Sequence, residues 1–353
     1  MSKPFLSKEF SHIRSVGLFL FILTIASCGW GISEDDTSTT STDTTATDTT
    51  ATDTSTDYKE DMRDFVKAIS VYTKAIDSSF IIIPQNGHQL ITTDGTTTGV
   101  KATTYLSAID GLGREDLFYG YESDDTATTT TISDDIMAYL DIAETNGVEV
   151  LVTDYCSTHS KMNESYALNE AEGYISFAAH ARDLDVIHPY PSTPHNVHTG
   201  NVTTLAEAKN FLYLLDPSSY ETVTEFVSAL NATNYDVLII DSYFDSTALT
   251  ASEVTSLKTK ANGGSRLVIS YMSIGEAENY RYYWQSTWST TAPTWLAAEN
   301  PEWLGNYKVR YWQTDWQDII FGNDSSYAKK LLDAEFDGVY LDIIDAFEYF
   351  EDL

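Results

Sequence analysis

The chain has 353 residues and a formal charge of −33, with 53 acidic against 20 basic side chains. So acidic a chain excludes nucleic acid and anionic polymers as partners, because phosphate binding requires basic surface, and it favours neutral or cationic ligands. Its two cysteines, Cys28 and Cys156, exclude a disulfide-built scaffold and leave stability to a hydrophobic core.

At the start, Lys3, Lys8 and Arg14 precede the apolar run Val16–Ala26. A charged head and an apolar stretch too short to span a bilayer comfortably predict a signal segment over residues 1–27. The run ends Ile25-Ala26-Ser27-Cys28, which resembles a bacterial lipobox and predicts lipidation at Cys28. The expected location is therefore outside the cytoplasm, with the protein anchored to the membrane at the cell surface or in the periplasm. Residues 28–57 are rich in Thr, Ser and Asp, with internal TTATDT repetition. Such a segment buries no core and is expected to be a disordered hydrophilic tether. Residues 58–353 then read as one domain, expected to be monomeric.

Helical periodicity opens that domain: Met62, Phe65, Val66, Ile69, Tyr72 and Ile76 recur on one face. Eight apolar runs follow, Phe80–Pro84, Val148–Val152, Gly173–Phe177, Asn210–Leu215, Asp236–Ile240, Arg266–Met272, Asn306–Tyr311 and Gly338–Leu341. They are continuous rather than alternating, as in strands buried on both faces of a parallel sheet. Helix signals lie between most of them. Ser133 is placed to cap one helix, and Thr250 with Glu253 has capping-box spacing for another. The pattern predicts an α/β fold, a (β/α)8 TIM-like barrel with an N-terminal helix. The long stretch Gln85–Ser133 reads as a connection.

In such a barrel the chemistry sits at the C-terminal strand ends. Those ends carry Gln85 and Asn86, Asp154 and Tyr155, Asp216, Asp241, Glu276, then Tyr311 and Trp312, then Asp342. Asp216 and Asp345 also suit a helix-capping role. Arg266–Trp284, RLVISYMSIGEAENYRYYW, is the densest stretch. A buried strand breaks at Gly275 and sets Glu276, Glu278 and Arg281 among tyrosines and a tryptophan. Several carboxylates at one mouth meet the requirement of sugar hydrolysis for a protonated acid and an ionised partner. The histidines show no metal-ligand spacing, and no metal or cofactor is expected; a Ca²⁺ or Mg²⁺ site on the Asp-rich strand ends is the alternative. Cys156 reads as a small packed residue.

The motifs PQNG at Pro84–Gly87, DGLGREDLFYG at Asp110–Gly120, YMSIGEAENYRYYW, NPEWLG, YKVRYWQTDWQDIIFG and FDGVYLDIIDAFEYFE resemble those of glycoside hydrolases related to endo-α-1,4-polygalactosaminidase, family 114, a TIM-barrel family. The resemblance implies an exported hydrolase of galactosamine-containing polysaccharide. It points to Asp241 in IDSYFD as one catalytic carboxylate and to Glu278, Arg281, Asp337 and Asp342 as shared positions. The expected machinery is Asp241 paired with Glu276, with Glu278 and Asp342 able to replace either. Gln85, Asn86, Asp154, Tyr155, Tyr271 and Arg281 are expected to hold the sugar, and Tyr311 and Trp312 to stack on it. The competing expectation is a surface lipoprotein that binds glycan without cleaving it.

Overall fold

The computed structural model describes residues 57–353. The signal segment, Cys28 and nearly all of the tether lie outside the described residues. The first helix, α1 (Tyr58–Ile76), starts where the Asp57 carboxylate accepts the Glu60 amide at 2.9 Å, satisfying an orphan N-terminal donor. Its apolar stripe, Met62, Phe65, Val66 and Ile69, is fully buried.

The strands, in chain order, are β1 (Ile81–Pro84), β2 (Gly111–Glu115), β3 (Glu149–Tyr155), β4 (Ile175–Ala179), β5 (Phe211–Leu214), β6 (Val237–Ile240), β7 (Tyr243–Phe244), β8 (Thr247–Ala248), β9 (Leu267–Ser273), β10 (Glu276–Glu278), β11 (Leu296–Glu299), β12 (Asn306–Val309) and β13 (Gly338–Asp342). Five form one parallel sheet in the order β1-β13-β9-β6-β5, and three form a second, β2-β3-β4. A parallel bridge, Gln85 with Gly113, joins β1 to β2 just beyond the ladder. At the other gap Phe177 of β4 packs on Phe211 of β5, ring centroids 5.8 Å apart. Helices follow most of these strands, as the long crossover between parallel strands requires. The Thr250–Glu253 capping box is present and starts the helix Ala251–Leu257. Ser133 is not a cap: the helix begins earlier, at Thr130, and the Ser133 hydroxyl donates to the Leu117 carbonyl at 2.7 Å.

Two elements differ from the sequence expectation. The run Asn306–Tyr311 is not a parallel strand. Its residues Asn306–Val309 form β12, the middle of an antiparallel sheet β10-β12-β11 built from the chain segment that runs from β9 to β13. In its place GLGRE, expected to be loop, is the parallel strand β2. Two glycines and two charges hide it from a hydrophobic pattern. The interior is too crowded there for side chains: a Cβ on Gly113 would stand 2.1 Å from the Tyr340 hydroxyl oxygen, and one on Gly111 would stand 2.7 Å from a Leu205 methyl.

Candidate active site

One carboxylate group gathers around Arg281. Asp241 directly follows β6, and Glu278 ends β10. Arg281 Nη1 donates to Asp241 Oδ1 at 2.8 Å, its Nε to Glu278 Oε2 at 2.6 Å and its Nη2 to Glu278 Oε1 at 3.3 Å. The Tyr243 amide also donates to Asp241 Oδ1, at 2.8 Å. Both bonds therefore fall on one oxygen of Asp241. The guanidinium lies near the faces of Tyr243, Tyr280 and Tyr327, 5.7, 5.2 and 5.9 Å from their centroids. These rings withdraw it from water and strengthen both charge-assisted pairs. Burial opposes the Arg281 charge, and Asp241 and Glu278 outweigh that burial, so its pKa stands well above the usual value.

A second group lies at the ends of β13 and β2. The Tyr271 hydroxyl donates to Asp342 Oδ2 at 2.7 Å. Dehydration by its surroundings, and then the negative charge of Glu115, push the Asp342 carboxyl up to about 8. Such a carboxyl carries a proton at neutral pH. Glu115 accepts from the Tyr155 hydroxyl and, at 3.3 Å, from Asn86 Nδ2. Asn86 takes a left-handed backbone, φ 61°, which turns its carboxamide back so that Oδ1 accepts from the Glu115 amide at 3.2 Å and from Arg114 Nη1 at 3.3 Å. Below them Gln85 Oε1 accepts from the Tyr213 hydroxyl at 2.9 Å. Beside them Arg182 donates to Asp116 at 2.7 Å and covers the Tyr155 ring at 4.0 Å. Burial first, countered by Arg182, leaves the Asp116 carboxyl at about 7.

Four expected site residues lie elsewhere. Glu276 is fully buried, paired with Lys308 at 2.7 Å and bonded by Asn300 at 2.9 Å. A carboxylate so enclosed ties β10 to β12 and meets no solvent. Asp154 is fully buried too. It accepts from the amides of Phe118 and Tyr119, from Ser165 Oγ at 2.7 Å and from Asn169 at 3.1 Å, so it ties β3 to its neighbours and has no place for a sugar hydroxyl. Tyr311 is fully buried, and its hydroxyl donates to the Tyr58 carbonyl at 2.7 Å. Trp312 packs on Tyr58 and Phe350. These two rings fasten α1 to the C-terminal helix Ala346–Glu351 instead of facing a sugar.

The residues brought together are thus Asp241, Glu278 and Arg281 in one group, and Gln85, Asn86, Tyr155, Tyr271 and Asp342 in the other. Sequence reasoning missed Glu115, Asp116, Arg114 and Arg182. The first three stand in the quoted motif DGLGREDLFYG, and only the mistaken reading of that motif as loop hid them. Among the described residues no group of three or more His, Cys, Asp or Glu side chains is arranged to hold a metal ion. Cys156 is buried, and burial pushes its thiol up to about 12, so it is packing and not a nucleophile.

Residues 191–353 match the model of glycoside-hydrolase family GH114. The chain is also similar to three uncharacterized proteins. One, of Methanocaldococcus jannaschii, is 38% identical over 152 residues, which are 42% of this chain and 41% of the relative. One of Thermotoga maritima is 37% identical over 120 residues, 34% of this chain and 36% of the relative. One of Deinococcus radiodurans is 37% identical over 123 residues, 35% of this chain and 37% of the relative. The matched stretches span about two-fifths of these relatives' own lengths.

Proposed function

We propose that this chain, whose residues 191–353 match the model of glycoside-hydrolase family GH114, cleaves a neutral or cationic, galactosamine-type polysaccharide with paired carboxylates on a closed (β/α)8 barrel. The observation that carries the reading is the contrast between Asp342 and Asp241. Asp342 keeps its proton to about 8, while Asp241 bonds the Arg281 guanidinium. A proton-bearing carboxyl and an arginine-bonded one at strand ends of the same parallel sheet suit the two roles that glycosidic cleavage requires.

In this mechanism Asp342 gives its proton to the departing glycosidic oxygen. Tyr271 fixes which oxygen of Asp342 faces inward. Asp241, with Oδ1 occupied by Arg281 and the Tyr243 amide, presents its second oxygen to the anomeric carbon or to the attacking water. Glu278 completes the charge balance of Arg281. Asn86 and Gln85 offer amide groups to sugar hydroxyls, and the carboxylates attract ammonium groups of a deacetylated polymer. Export and lipid attachment at Cys28 complete the reading. They rest on the apolar run and the Ile25–Cys28 motif, and metabolic lipid labelling that is unchanged in Cys28→Ala would remove them.

The test is incubation of the purified protein with partly deacetylated galactosamine polymers, following new reducing ends and the anomeric form of the product. Turnover that disappears in Asp241→Asn and Asp342→Asn is expected. Binding measured by calorimetry with no turnover would replace this reading with a glycan-binding lipoprotein.

A further inference from the structure

We propose that Tyr280 is a substrate-binding residue, its exposed ring a platform for the apolar face of a galacto-configured sugar unit beside Asp241, Glu278 and Arg281. The inference rests on the reading of that group as a glycosidase site and adds the surface on which the sugar is seated.

Tyr280 lies in the turn that leads from β10 to Arg281, closed where the Arg281 amide donates to the Glu278 carbonyl at 3.1 Å. Its hydroxyl donates to Glu278 Oε1. The Arg281 guanidinium lies over the ring, 5.2 Å from its centroid, and the same guanidinium holds Asp241 Oδ1 at 2.8 Å. The ring is therefore fixed at its hydroxyl, backed on one face, and one guanidinium away from Asp241. Yet Tyr280 is 59% exposed, while Glu278 and Arg281 beneath it are 1% and 6% exposed. With the hydroxyl on a buried carboxylate and one face toward the guanidinium, the exposed surface is the other face of the ring.

The neighbouring rings are used otherwise. Tyr282 lies parallel to Tyr243, centroids 6.2 Å apart, with Lys330 Nζ 4.7 Å from its own centroid. Tyr283 packs on Trp316, and Trp284 on Tyr307. Among the described residues no aromatic ring packs on Tyr280. A lone exposed aromatic side chain is ordinary on a protein surface. One whose hydroxyl is locked to a buried carboxylate of the site is a preformed contact surface, because little rotamer freedom is left to lose on binding. Chemistry then selects the ligand. A cation already covers one face of this ring, so a second cation on the opposite face meets its repulsion. The open face therefore takes carbon–hydrogen groups, and an ammonium group turns toward the carboxylates. A galacto-configured ring supplies such a face: its axial 4-hydroxyl leaves the hydrogens of C3, C4 and C5 together on one side. A gluco-configured ring, with that hydroxyl equatorial, has no such continuous patch.

The test is titration calorimetry of the full chain with α-1,4-linked galactosamine oligosaccharides and with glucosamine oligosaccharides of the same length, beside steady-state hydrolysis of the galactosamine probe. The parent should prefer galactosamine. Tyr280→Ala should weaken galactosamine binding about 10-fold or more, erase most of that preference and raise KM by a similar factor, with a smaller fall in kcat. Tyr280→Phe keeps the face and gives up the bond to Glu278, so it should hold galactosamine affinity within about threefold of the parent. Unchanged galactosamine binding in Tyr280→Ala would overturn the proposal. Equal losses in the two variants would also overturn it, because they would assign the effect to the hydroxyl on Glu278 and not to the ring face. A parent that binds neither probe would overturn it as well. Binding that depends on the Tyr280 ring in a protein that releases no reducing ends would uphold the platform and overturn the glycosidase reading alone. Turnover with KM unmoved in Tyr280→Ala would do the reverse.

Discussion

Arg281 binds Asp241 at 2.8 Å, the arginine in the turn that follows β10 and the aspartate directly after β6. The pair is nearly dehydrated, with side-chain exposures of 3% and 16%, so its loss is costly. Arg281→Ala should lower unfolding free energy by about 3–5 kcal/mol in denaturant titration. Arg281→Lys keeps the charge but cannot fork between two carboxylates, so it should fold while losing about 100-fold or more in hydrolysis. Full activity in the lysine variant would deny the fork a role.

Asp342 makes stability depend on pH in a definite direction. Its folded pKa, about 8, lies above the ordinary value of 3.8, so the folded state holds the proton longer than the unfolded state. This contribution is fully present below the ordinary value and is lost as pH rises through about 8. Asp342→Asn should therefore gain stability relative to the parent as pH rises from 4 to 9, read as a widening difference in Tm, while turnover falls about 100- to 10,000-fold. A constant Tm difference across that range would contradict the assigned proton.

Gly113 and Tyr340 should show compensation. Gly113→Ala drives a methyl into the Tyr340 hydroxyl and should cost about 1–3 kcal/mol. That hydroxyl is buried with no hydrogen-bond partner, so Tyr340→Phe should be neutral or stabilising. The double variant should recover part of the alanine loss in a thermodynamic cycle; strict additivity would mean the two do not meet.

An ion pair at the opposite end of the strands should separate stability from activity. Lys260 and Asp236 are both fully buried and meet at 2.8 Å, just ahead of β6. Asp236 also accepts from His198 and the Lys209 amide. Lys260→Met strands that carboxylate and should cost about 3–5 kcal/mol, with kcat unchanged below the new Tm. A fall in kcat at full folding would tie this end to the chemistry.

The parallel strands with apolar runs were legible in the sequence because burial on both faces leaves a continuous hydrophobic signature. β2 was not, since its interior positions need glycine and its end needs Arg114 and Glu115. β12 deceived in the other direction. Tyr307 and Val309 give it a strand pattern, but pairing direction has no local signal, and its partners are Glu276–Glu278 and Leu296–Glu299. Among the candidate residues, Asp241 and Asp342 were picked out by strand-end position, and Glu278 and Arg281 by the motif that carries them. Glu276 was misjudged because alternation along a three-residue strand does not reveal that Lys308 lies opposite it. Tyr311 and Trp312 were misjudged because aromatic residues near a strand end serve packing as readily as sugar binding.

The excursion leaves the sheet at Gly275, where a Cβ would stand 2.1 Å from the Ile343 carbonyl oxygen. Asp241, Asp342 and Glu115 belong to the parallel frame or its immediate ends, whereas Glu278 ends β10 of the antiparallel sheet and Arg281 follows it. Natural variation has a seam to work along here. Lengthening or reshaping the segment after Arg281 changes what the mouth admits, while the frame beneath is inherited intact. Diversification among such proteins should therefore concentrate between residues 282 and 305, with the Gly275 contact held fixed as the point from which each new rim is hung.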